Sequence, residues 1–250
     1  MPEALASALA LPGLWLLMLG AVAAGVVRGF AGFGTAMVFL PFAGQVLTPV
    51  EAVTVLILID AVGPLPNVPA ALRVAHRRDL ARLCMGMVPA VPLGVMVLTW
   101  ASPDVFRTTV SVISLVLLVM LVGGFRYRGA LAPPLILTTG ATGGFLGGVA
   151  GLAGPPVILL YMARVLPAEV IRANITLFLL ATDFVMLAAI LVAGVLMPAA
   201  IMLALVLVAP YLLSNMLGAA IFRPEAARLF RAVAYVIIAG SALSGLPVFD

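Results

Sequence analysis

A bundle of helices that crosses a membrane many times is the fold class this sequence predicts. It is all-α, with two inverted repeats of about five hydrophobic segments each and broken helices at the membrane midplane. Three observations carry that expectation. Hydrophobic residues make up 65% of the chain and charged residues 9%, against roughly 45–50% and about 25% in soluble domains. The mean hydropathy is +1.31, more apolar surface than a folded chain of this length can keep from water. The apolar runs are long and unbroken. A transmembrane barrel would alternate polar and apolar residues along each strand, so the backbone must satisfy itself as helix.

Ten apolar segments follow in order, at roughly 11–27, 33–47, 50–71, 81–100, 104–124, 131–147, 154–164, 168–195, 199–221 and 227–246. A span needs about 20 residues. The first two, the sixth and the seventh are shorter, and each short pair is split by a glycine-rich stretch, "RGFAGFG" or "GGVAGLAGPP". Hydropathy counting alone merges or drops these and reports about eight spans. The first segment lacks a basic flank and a small-residue cleavage site, and is expected to be a retained helix rather than a signal peptide. The third opens on Thr48-Pro49-Val50-Glu51, with Thr48 as N-cap, proline in the first turn and Glu51 placed for a capping box. Prolines 64, 66 and 69 should distort its end.

All 13 basic residues are arginine, and the net charge is +4. They gather in short connections: Arg73, Arg77, Arg78 and Arg82; Arg126 and Arg128; Arg164 and Arg172; Arg223, Arg228 and Arg231. The connections near 47–50, 101–104 and 194–198 are nearly free of basic residues, with Arg107 just beyond one of them. With basic loops cytoplasmic, ten segments thread consistently and both termini lie outside. A basic chain without a basic stripe or a recognition motif points away from nucleic acid. The single cysteine, Cys84, rules out an internal disulfide and reads as a small packing residue.

The chain repeats itself. The glycine break near residue 32 recurs near 151, about 119 residues on. Each is followed by a short helix and then by a proline two before a glutamate, Pro49/Glu51 and Pro167/Glu169; later, Pro89 with Gly94 matches Pro210 with Asn215. The repeats are set at 1–125 and 126–250. An odd number of segments per repeat inverts the second against the first, an architecture that transporters use with the substrate site near the midplane.

Glycine breaks let the chain unwind, and the amides of a half-helix N-terminus face negative charge. Gly32, Phe33, Gly34 and Thr35 in the first break, and Gly151, Gly154 and Pro155 in the second, are therefore candidates to hold an anion. Glycines also serve tight helix packing, but two clusters at matching places favour a site. Arg28 ends an apolar run directly before the first break. Its planar fork suits the oxygens of a carboxylate, sulfite or sulfonate, although an arginine there can also snorkel to an interface. Asp60 and Asp183 lie inside long apolar helices, where carboxylates mark ion or proton paths. Either is a proton-coupling candidate, or a structural partner for a neighbouring helix or an arginine. Asn67, Asn174 and Asn215, with Thr176, are polar groups within or near spans and suit interhelical hydrogen bonds or a polar lining.

An enzyme is not expected. His76 stands in an arginine-rich loop, no histidine–cysteine–acid cluster offers a metal site, and no ATPase-type phosphate loop is present. No cofactor is expected. A gradient or a partner chain must then drive transport.

The stretches "GFAGFGTAMVFLP" at 29–41 and "GGVAGLAGPPVILLY" at 147–161 resemble the duplicated glycine-rich motif of the TauE/SafE family of sulfite-exporter-like anion transporters. The resemblance covers nearly the whole chain. It departs from the fuller glycine triplet at Gly34-Thr35-Ala36 and Gly154-Pro155-Pro156. It implies proton-coupled export or uptake, with export the expected direction, of small anions such as sulfite, organosulfonates or small carboxylates across the bacterial inner membrane. The expected partners are the small anion and the lipid bilayer, with a homodimer as an assembly open to such a transporter. An anion channel of the same fold and a non-transporting membrane anchor for a partner enzyme are the competing expectations.

Overall fold

The computed structural model describes residues 8–123, 132–162 and 166–247, and among them the secondary structure is helical without strands. The helices are α1 (Leu14–Ala31), α2 (Thr35–Ala43), α3 (Pro49–Val62), α4 (Val68–Val74), α5 (Arg77–Trp100), α6 (Pro103–Val122), α7 (Pro133–Ala150), α8 (Gly154–Met162), α9 (Ala168–Val192), α10 (Pro198–Ile221) and α11 (Ala227–Ser244). Each expected segment corresponds to one of these, except the third. That one is interrupted at Gly63-Pro64, passes through a 3-10 turn at Leu65–Asn67 and resumes as α4, where the prolines deny it amide donors. Arg126, Arg128 and Arg164 lie outside the described residues.

The local chemistry explains the boundaries. Gly32 closes α1 at φ 76°, its amide bonded to the Arg28 carbonyl oxygen at 2.8 Å, and Gly34 precedes α2 at φ 100°. Gly151 closes α7 at φ 66°. These left-handed positions strain any residue with a Cβ. The Thr48–Glu51 capping box at α3 is present in both directions.

Among the described residues, five helices are long and apolar enough to cross a membrane: α1, α5, α6, Glu169–Val192 of α9, and α10. The number is six if Pro49–Val62 and Leu65–Val74 form one broken span. This is fewer than the eight expected from hydropathy. α7, for one, dilutes its apolar character with five glycines and three threonines, which serve packing instead. The chain is a multi-pass membrane protein. Large apolar side chains stand exposed along α6 (Val105, Val112, Val116, Val119) and α10 (Leu205, Leu213, Met216, Leu217), a surface suited to lipid and not to water. Trp100, 78% exposed at the end of α5, fits the aromatic belt at a membrane interface.

The helices form two compact units. One comprises the described parts of Met1–Gly63, Ala101–Val122 and Leu196–Asp250, and the other those of Pro64–Trp100 and Gly123–Val195. In the first unit α10 lies along α1. A Cβ at Gly25 would meet Ser214 Oγ and the Tyr211 carbonyl oxygen. One at Gly29 would meet the backbone of Asn215, Gly218 and Ala219. In the second unit α5 lies along α7, with Gly86 and Gly94 against Leu137, Phe145 and Gly148, and Gly140 and Gly144 against Leu83 and Met87. Without a hydrophobic drive between helices in lipid, such small-residue contacts let backbones approach closely enough for dispersion to hold them.

Candidate anion site

The first unit gathers four polar side chains from four helices. Arg28 stands in the last turn of α1, which runs four residues beyond the expected end of the first segment. Thr35 is the first residue of α2, and Asp60 lies near the end of α3. Tyr211 enters from α10, directly after the internal Pro210. The glycine seam of α1 is what lets α10 come near enough to deliver it.

Asp60 is the hub. Its Oδ1 accepts from the Tyr211 hydroxyl at 2.6 Å and from Thr35 Oγ1 at 2.8 Å, and its Oδ2 faces Arg28 Nη1 at 3.7 Å. The Thr35 and Tyr211 hydroxyls are also 3.2 Å apart. The Arg28 and Asp60 side chains retain 10% and 14% of their accessible surface, and Tyr211 retains none. Opposite charges at this depth offset each other, and the two hydroxyl donors share the carboxylate's remaining hydrogen-bonding capacity. Chemically, the cluster is a guanidinium fork and two hydroxyl donors arranged around a carboxylate, beside the start of a helix.

The other expected residues distribute as follows. Gly34 precedes Thr35, and its missing Cβ faces Val27 at 3.2 Å. Phe33 is half-buried between the two left-handed glycines, and Gly32 is exposed. Asn215 is half-buried on α10, its amide nitrogen near Gly63. Gly151, Gly154, Pro155, Asn67, Asn174 and Asp183 belong to the second unit. There Gly151 ends α7, Gly154 and buried Pro155 open α8, Asp183 is half-buried on α9, and Asn67 is exposed in the 3-10 turn. Asn174 is a fully buried clamp. Its Oδ1 accepts from the His76 amide at 2.8 Å, and its Nδ2 donates to the His76 carbonyl and, at 2.5 Å, to the Tyr161 hydroxyl. His76 itself is anchored, with Nδ1 3.2 Å from the buried carboxylate of Asp79.

Sequence reasoning missed two residues. Tyr211 carries no charge and sits 151 residues from Asp60; its only signal was a tyrosine beside a mid-helix proline. Arg107, taken as flanking a loop, is buried in α6 at 8% exposure. Among the described residues no three histidine, cysteine or acidic side chains gather as a metal site would need.

Comparison with known proteins assigns the chain to a family. The family model described as sulfite exporter TauE/SafE matches residues 17–245. A similar protein from Cupriavidus necator, described as a probable sulfite/organosulfonate exporter TauE, is 31% identical over 160 residues, covering 59% of this chain and 60% of that one. The match therefore spans less than two thirds of that relative's length. No solved structure matches. The chain belongs to the sulfite exporter TauE/SafE family, which is one of exporters and not of enzymes.

Proposed function

We propose that this TauE/SafE family member exports small oxyanions across the bacterial inner membrane as a proton-coupled secondary transporter, with sulfite, organosulfonates and small carboxylates as its substrate class. The observation that carries the reading is Arg28, a permanently charged fork held in the last turn of an apolar helix beside a glycine break, facing the Asp60 carboxylate on which two hydroxyl donors converge. Charged residues at membrane depth are expensive and usually functional, and arginine matches planar or trigonal oxyanions. The direction draws on the family description and on the relative's name. Of the two acids considered for proton coupling, Asp60 is favoured because it faces Arg28.

The inverted duplication is part of the proposal, and helix exchange supports it. In the first unit α10, from the second half of the chain, packs on α1 and α3; in the second unit α5, from the first half, packs on α7 and α9. Each half thus lends its fourth segment to the other half's first and third. An equivalent role for the fourth segment of each half is what a duplicated chain predicts, and inverted repeats are a transporter architecture.

The test is binding followed by flux. Thermal stability of the detergent-purified protein is measured against sulfite, methanesulfonate, sulfoacetate, acetate, sulfate and chloride. A ligand present at 100 times its dissociation constant adds about 2.7 kcal/mol to stability. A selective shift, followed by saturable efflux from proteoliposomes, supports the reading. Non-saturating conductance would replace it with a channel. No binding of any anion would replace it with a non-transporting anchor.

A further inference from the structure

We infer that Asp60 is a built-in stand-in for the substrate anion, and that an incoming anion takes its place on Arg28 only as Asp60 takes up a proton. The inference rests on the reading of Arg28 as the anion-binding group. It adds the mode of coupling: anion and proton bind together, one for one, rather than in exchange.

The argument starts from charge. The Arg28 guanidinium and the Asp60 carboxylate, 3.7 Å apart, offset each other's charge. The titratable groups that face Asp60 are Arg28 from α1 and Tyr211 from α10. α2 and α10, the helices packed on α3, carry no charged residue along their length. Adding an anion to Arg28 with Asp60 still ionised leaves two negative charges against one positive in a site largely removed from water. Like charges at such distances resist sharing a site. The economical state binds a proton on a carboxylate oxygen of Asp60, and the loaded site is neutral again. No bond between heavy atoms changes. The proton comes from water, the ion pair opens, and the guanidinium re-pairs with the substrate oxygen.

The two hydroxyls fit this exchange. Tyr211 and Thr35 now donate to Oδ1 of Asp60. Once Oδ1 or Oδ2 carries a proton, the carboxyl is a weaker acceptor, and the same donors are freed to turn to the oxyanion. The donors that hold the Asp60 carboxylate are the donor set an oxyanion needs. For a monoanion, the site with anion and proton bound carries the same charge as the Arg28–Asp60 pair alone. Transport is then electroneutral, and export in this mode runs down the anion's own outward gradient, with the proton leaving alongside it, rather than being driven by proton entry.

Isothermal titration of the purified full-length protein tests this, with the anions of the panel above in pairs of buffers that differ in ionisation enthalpy, and with each anion's own ionisation subtracted. The expected result is uptake of about one proton per anion bound. Affinity falls tenfold per pH unit on the alkaline limb. In Asp60→Asn, proton uptake and pH dependence disappear while binding persists. Tyr211→Phe, which retains the ring packing, removes a donor to the ionised carboxylate and moves the binding-versus-pH profile to higher pH. Binding by the wild type with no proton uptake overturns the inference and leaves the anion-transporter reading standing. Undiminished pH dependence in Asp60→Asn does the same. If Asp60→Asn does not fold, an unshifted profile in Tyr211→Phe overturns it. No binding of any anion by the wild type overturns both.

Discussion

Asp60 uses its two oxygens differently, Oδ1 for neutral donors and Oδ2 for Arg28, and that division governs what substitution does. Removing one member of a desolvated ion pair strands the other charge and costs about 3–5 kcal/mol, whereas removing both is far milder. Arg28→Ala alone is therefore expected to lower the thermal midpoint sharply, and Arg28→Ala/Asp60→Ala to recover most of the loss. A double variant no more stable than the single one would show that the pair contributes little. The consequence for function is practical: lost binding in Arg28→Ala mixes folding with chemistry, and the double variant separates them. Arg28 and Asp60 were visible in the sequence because a charge inside an apolar run stands out. That they meet was held there only as one alternative, since burial and partner choice depend on the fold. Tyr211 was invisible as a site residue because tyrosine is unremarkable in an apolar helix.

At the scale of helices, glycine does two separate jobs, and the sequence separates them incompletely. Gly32, Gly34 and Gly151 end or begin helices at positive φ, and the breaks they make were legible from clustering alone. Gly151→Ala is expected to cost about 1–2 kcal/mol through backbone strain, read as a fall in thermal midpoint. Gly25, Gly29, Gly94 and Gly148 lie inside helices and permit contact between them. Their partners are set by three-dimensional packing, and no spacing rule named them. A Cβ at Gly148 would lie 2.8 Å from the Cα of Gly94, and overpacking of that kind costs about 1–3 kcal/mol. Gly148→Ala should destabilise the purified protein, while Gly240→Ala, whose Cβ meets nothing within 4 Å, should not. Equal effects would mean that helix propensity, not the α5–α7 seam, decides the outcome. The broken third segment belongs at this scale too. Its prolines announced a distortion, but the 3-10 turn that results depends on how Gly63-Pro64 is accommodated, which the residue pattern does not encode.

Across the whole molecule, the arginine distribution makes a claim about which end of each span meets the cytoplasm. α5 runs from Arg77 to Trp100, 24 residues. At about 1.5 Å per residue that is roughly 36 Å, longer than the hydrocarbon core of about 30 Å. Its first two turns carry Arg77, Arg78 and Arg82, and the connection that follows it lacks basic residues until Arg107. By the positive-inside tendency, the start of α5 faces the cytoplasm and residues 101–102 face the opposite side. α10 makes the same argument in reverse order: Pro198 follows a connection without arginine, and Arg223 follows its end. Single cysteines at Ala81, Ser102 and Ala199, all exposed, can be placed in a Cys84→Ala background. A membrane-impermeant maleimide should label Ser102→Cys and Ala199→Cys in intact spheroplasts, and Ala81→Cys only after permeabilisation. Labelling of Ala81→Cys and Ser102→Cys from the same side would mean that α5 does not span, and with it the ten-segment threading and the inverted duplication would fall. Labelling with all three sides reversed would keep the spans and turn the molecule over, placing the arginine-rich loops outside against their electrostatic preference.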